Sequence, residues 1–121
     1  MKIEKIIKSN IKGIDFSNLD FGSIFTDHMF TCSYKNGKWL EAEIKPYQPI
    51  SISPSARVFH YGQACFEGMK AFKDQNNKVW LFRPKDNYER IVKSSKRLAM
   101  PCINEKVFME GLRSLINVDQ D

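Results

Sequence analysis

Hydrophobic spacing changes period once along this chain, at Arg83-Pro84, and that change restricts the fold more than any other feature. Before it, short apolar runs are broken every few residues by turn formers; after it, apolar residues recur at helical spacing. Tyr88, Ile91, Val92, Ser95, Leu98 and Ala99 share one helical face. Pro84 suits the first turn of that helix, where an N–H has no intrahelical partner to lose, and Pro101 ends the run. Val107, Phe108, Leu112, Leu115 and Ile116 form a second stripe, with Asn104 placed to cap it.

The earlier half reads as strands. Met29–Tyr34 and Trp39–Ile44 flank Lys35-Asn36-Gly37-Lys38, and Asn-Gly tolerates the positive φ angles of a type I′ turn, so this stretch predicts a hairpin. Pro46, Pro49 and Pro54 remove backbone donors and predict a loop from Pro46 to Ala56. Val58–Tyr61 and Cys65–Lys73 read as strands, the second with Phe66, Gly68, Lys70 and Phe72 on one face and Cys65, Glu67, Met69 and Ala71 on the other. Asp74–Asn77 then turns the chain into a strand at Lys78–Phe82. Strands first and helices after predict an α+β fold, an antiparallel β-sheet packed with two helices. Met1–Ile24 shows no sustained period and reads as an arm, ordered by contact with something else.

With 121 residues, 42% of them hydrophobic and 27% charged, the chain fits one soluble domain with a small core. The three cysteines, Cys32, Cys65 and Cys102, are widely spaced and include no Cys-x-x-Cys pair, which argues for reduced thiols and against a disulfide framework or zinc site. The first residues carry no long apolar run of a signal peptide, and no run elsewhere could cross a bilayer, so a cytoplasmic location is expected. A net charge of +5 and a pI near 9.2 favour anionic ligands: phosphates, carboxylates or nucleic acid.

Individual residues leave alternatives open. His60 has no metal-ligand partner at useful spacing and reads as structural. Asp27 and His28 are adjacent, and neighbours on a strand point to opposite faces, which argues against an acid/base dyad. Tyr61 and Phe66 either pack in a core or meet in one pocket if Gly62 allows a bend. Arg90 lies near Lys93, Lys96 and Arg97, as part of either a solvated basic face or an anion site.

A resemblance reaches further. The segment His60-Tyr61-Gly62-Gln63-Ala64-Cys65-Phe66-Glu67-Gly68-Met69-Lys70-Ala71-Phe72 resembles the N-terminal domain of the branched-chain amino acid aminotransferases, pyridoxal 5′-phosphate enzymes of fold type IV. Leu81-Phe82-Arg83-Pro84, Asn87, Arg90, Ser94, Arg97-Leu98 and Met100-Pro101 follow in the family's order, and Phe25-Thr26-Asp27-His28-Met29 resembles a block near its start. The similarity spans about Gly22 to Asp121. Relatives acting on D-amino acids or aminodeoxychorismate usually carry a different phrase at His-Tyr-Gly and Phe-Glu-Gly-Met-Lys.

The resemblance implies an arm at residues 1–24 and the family's small N-terminal domain at 25–121. It implies that Arg90 holds the cofactor phosphate, a task suited to a permanently charged fork of donors. Phe25, Tyr61 and Phe66 fall at aromatic positions of the pocket for the branched side chain, and Lys70 lies where some members place an arginine near substrate. Glu67 and Gly68 look architectural, the carboxylate needing a buried partner. The lysine that carries the cofactor covalently belongs to a downstream domain in that family, so no catalytic residue and no metal ligand is assigned among these 121 residues. The implied reaction is a ping-pong transfer of the amino group of leucine, isoleucine or valine to 2-oxoglutarate, in a homodimer. The readings outside that family are a stand-alone basic module binding anions or nucleic acid, with Phe66, Lys70 and Phe72 as its face, or a dimerisation module.

Overall fold

Asn36 and Gly37 both adopt positive φ, 51° and 79°, and the strands on either side fold back on each other as the Asn-Gly dipeptide predicts. In this computed structural model, which describes residues 1–120, β2 (His28–Thr31) pairs antiparallel with β5 (Glu43–Pro46). Nearer the turn, β3 (Tyr34–Lys35) pairs with β4 (Lys38–Trp39), and the Tyr34 and Trp39 rings meet edge to face. Between the two ladders the Leu40 N–H donates to the Ser33 carbonyl and the Cys32 thiol to the Leu40 carbonyl.

The chain divides into two compact units, Met1–Pro49 with the stretch beginning at Glu110, and Ile50–Met109. In the first, β5 is central: β1 (Lys2–Ile3) joins it in parallel and β2 on the other side. Ile44 therefore sits in register with Ile3 and Phe30, and it is the one fully buried large side chain among the described residues, 0% exposed. The Phe30 ring lies against α3 (Glu105–Asp119) at Gly111, where an added Cβ would come within 2.5 Å of the ring. Glycine at that position lets helix and ring approach this closely.

The N-terminal arm is held by β2 and β5. Beyond the β1 pairing, the Ile6 N–H donates to His28 Nε2 at 3.0 Å, and Ser9 and Asn10 bond the Asp27 carboxylate. The contact that orders it thus lies within its own unit. His28 Nδ1 meets Asp119 Oδ1 at 2.5 Å, while Asp119 Oδ2 accepts the His28 N–H. Because Nε2 accepts from a backbone donor, the proton of a neutral His28 sits on Nδ1, facing the carboxylate. Asp27 and His28 each secure the arm through separate contacts.

In the second unit, α2 (Pro84–Arg97) begins with proline in its first turn, as expected, after Arg83 at a left-handed φ of 49°. Its far end closes through Ala99, also left-handed, and a bond from the Met100 N–H to the Ser95 carbonyl. Asn104 caps α3 as predicted, its Oδ1 accepting the Lys106 N–H at 2.9 Å. The hairpin β6 (Ala71–Lys73) to β7 (Val79–Leu81) turns at Asp74–Asn77, where Asp74 accepts from the Asn76 and Lys78 amides and the Trp80 indole.

Two expected strands differ. Val58–Tyr61 is helical, in α1 (Arg57–Tyr61): Gly62 takes a left-handed φ of 59° and ends it, with the Gln63 N–H reaching back to the Arg57 carbonyl. The glycine is a helix stop and not a bend between strands. Among the described residues, Cys65–Lys73 forms a ladder only at Ala71–Lys73, paired with β7. Its two-faced alternation holds from Cys65 to Lys70, with Cys65, Glu67 and Met69 partly covered and Phe66, Gly68 and Lys70 exposed, and ends there, since Ala71, expected on the covered face, is exposed like Phe72. The fold is α+β, with the strands expected in one sheet distributed over three small ones. All three cysteines are free thiols.

Candidate functional site

Residues 65–70, alternating in exposure as an extended segment does, run beside α2, and two side chains of that helix fasten them. Arg90 grips Glu67 with two donors, Nε to Oε2 at 2.8 Å and Nη2 to Oε1. Asn87, almost one turn earlier, donates to the Gly68 carbonyl at 3.1 Å. The Gly68 N–H adds a bond to Glu67 Oε1 at 3.0 Å. Period two along the segment turns Glu67 toward the helix, and helical spacing puts Asn87 and Arg90 on one face to meet it.

The pair is lopsided in exposure: the Glu67 side chain is 7% exposed and that of Arg90 is 69%. The Arg90 hydrogen bond, helped by the Gly68 amide and by Asn87, holds the Glu67 carboxyl far below its ordinary 4.5, at about 2, while Glu67 raises the guanidinium. A depressed folded value means the clamp supports folding fully above pH 4.5 and loses that support as pH falls from 4.5 through about 2. Melting temperatures measured across that range are expected to show wild type above the Glu67→Gln variant near neutrality, with the gap closing in acid. A gap unchanged down to pH 2 would contradict the clamp.

Arg90 retains capacity. Of its five N–H groups, the one on Nε and one on Nη2 are committed to Glu67, which leaves the edge formed by Nη1 and the second Nη2 hydrogen uncommitted among the described residues, on a side chain that is 69% exposed. That edge has the fork geometry that suits a phosphate or carboxylate.

Tyr61 is 84% exposed and Phe66 91%, so neither packs in a core here. Tyr61 lines an open groove of about 520 Å³ with Arg57, Gly62, Gln63 and Leu98. Gln63 braces it by donating to the Leu98 carbonyl at 2.7 Å. Phe66 is not among the lining residues; it shares the exposed face of the extended segment with Lys70. Phe25, in the first unit, stacks on Tyr47 with centroids 4.8 Å apart. His60 has the structural role expected, Nε2 bonding the Pro54 carbonyl at 2.7 Å.

Sequence reasoning missed the groove walls Arg57, Gln63 and Leu98. Their signal was the Arg57 and Tyr61 spacing of four, which puts both on one face of a helix and was masked by reading that stretch as a strand. It also missed the His28 and Asp119 contact, which joins residues 91 apart and leaves no local signal.

The sequence is similar to those of known proteins. The chain is 47% identical over 108 residues to Branched-chain-amino-acid aminotransferase 2 of Bacillus subtilis (strain 168), covering 88% of this chain and 30% of that protein. It is 44% identical over 108 residues to Branched-chain-amino-acid transaminase 1 of the same organism, with the same coverage of 88% and 30%. For the Branched-chain-amino-acid aminotransferase of Helicobacter pylori (strain J99 / ATCC 700824) the figures are 40% over 111 residues, 92% and 33%. No family model matches. The class these relatives define is the aminotransferases. Within it, the chain is homologous over most of its length to the branched-chain-amino-acid aminotransferases, and it spans about 30% of the length of those curated relatives.

Proposed function

We propose that these residues form the N-terminal part of a pyridoxal 5′-phosphate enzyme that transfers the amino group of leucine, isoleucine or valine to 2-oxoglutarate. The observation that carries this reading is Arg90: exposed, aimed by Glu67, with one guanidinium edge open to an oxyanion, in a chain 47% identical to an enzyme of that name. The cofactor, when bound, supplies the electron sink that lets the α-proton leave. Arg90 would hold its phosphate. Phe25, Tyr61, Phe66 and Lys70, all exposed here, would face substrate, the aromatics burying the branched methyl groups and Lys70 offering a cation to an acid group.

In this reading residues 1–24 are an arm and 25–121 the small domain, and the enzyme is a cytoplasmic homodimer in branched-chain amino acid biosynthesis. Phe21, Tyr61, Phe66 and Phe82, apolar and open to water, supply surface for a second subunit or a further domain. The lysine that carries the cofactor is not assigned to any of the 121 residues. The chain alone, given leucine, 2-oxoglutarate and pyridoxal 5′-phosphate, is therefore expected to form no glutamate above the rate of the cofactor by itself. Enzymatic glutamate formation by the purified chain would overturn that division of labour.

A further inference from the structure

We infer that Glu67 is the positioning residue of the phosphate site: it engages one edge of the Arg90 guanidinium so that the opposite edge is presented to the incoming phosphate. The inference rests on the reading of Arg90 given above and extends it to a residue with no assigned role beyond architecture.

Three observations carry it. Both Glu67 oxygens are used on Arg90, from Nε and Nη2, which fixes the plane of the guanidinium as well as its place. Glu67 is itself immobilised, with its side chain 7% exposed and bonded by the Gly68 amide, while Asn87 pins the adjacent Gly68 carbonyl. Arg90 remains 69% exposed, and Nη1 has no protein partner among the described residues. An unrestrained arginine on a helix surface samples many rotamers, and each must be given up when an anion binds. Here that ordering is already present before the phosphate arrives. The arrangement also sets a sign: the Glu67 charge repels a phosphate, so the carboxylate helps only if orientation outweighs repulsion.

The test uses a cofactor analogue without the reactive aldehyde, so that surface lysines do not capture it. Affinities of the full chain for 4-deoxypyridoxine 5′-phosphate and for 4-deoxypyridoxine give a preference ratio that isolates the phosphate contact. Glu67→Gln is expected to lower that ratio about tenfold, a loss typical of one charge-assisted contact, while leaving the affinity for the unphosphorylated compound in place. A general structural defect would weaken both ligands and leave the ratio alone. A ratio that stays or rises in Glu67→Gln, yet falls in Arg90→Gln, overturns the positioning role and keeps Arg90 as the phosphate cation. A ratio untouched by Arg90→Gln overturns both readings.

Discussion

Replacing Ile44 by alanine is expected to destabilise the first unit by about 3 kcal/mol, the middle of the range for large-to-small changes at sealed positions. Ile44 is 0% exposed on the central strand, level with Ile3 on one side and Phe30 on the other. The Phe30 ring is already in contact with Gly111 and has little room to close a void beneath it. No other large side chain among the described residues is as fully covered, so the loss falls on the centre of a small core. Small domains have only about 5–15 kcal/mol to lose. Urea unfolding followed by tryptophan fluorescence checks it: with a slope near 1–3 kcal/mol/M, the midpoint is expected to fall by roughly 1–3 M. A fall of less than about 0.3 M would show that Ile44 is not the keystone of this sheet.

Much of this fold was legible because its signals are local. Asn36-Gly37 specifies a turn through two backbone angles, Pro84 and Pro101 bracket a helix, and Asn104 caps the next through a side chain two residues from the amide it accepts. Alternation from Cys65 to Lys70 also survives, although among the described residues no partner strand lies beside it. Failures occurred where one residue serves two grammars. Gly62 can bend a strand or stop a helix, and the choice depended on a bond from Gln63 back to Arg57. The antiparallel pairing is legible but its division into small sheets is not, because pairing between distant strands is set by tertiary fit: nothing in Lys2-Ile3 announces a parallel partner at Glu43-Ile44.

The site divides the same way. Resemblance alone points to Arg90, and Glu67 reads as a carboxylate in need of a partner. That each is the other's partner was illegible, since 23 residues separate them and only the approach of the extended segment to α2 joins them. The exposure of Phe25, Tyr61 and Phe66 was equally hidden, because aromatic residues read as core until a structure shows them uncovered.

The largest functional effect is expected from Arg90→Gln, read in a chimera of Branched-chain-amino-acid aminotransferase 2 of Bacillus subtilis in which this chain replaces the 108 residues it matches. Glutamine has similar reach but neither the charge nor the fork that pairs with phosphate oxygens, so one charge-assisted bidentate contact is lost outright. Apparent affinity for pyridoxal 5′-phosphate is expected to fall by roughly 100-fold, with turnover recovering at saturating cofactor. Titrating that chimera with pyridoxal 5′-phosphate while following glutamate formation from leucine and 2-oxoglutarate tests the proposed function most directly. Transamination of leucine by the unsubstituted chimera, with the titration curve displaced to higher cofactor in Arg90→Gln, is the expected result. A folded chimera that leaves leucine untouched, or a curve that Arg90→Gln does not move, would contradict it.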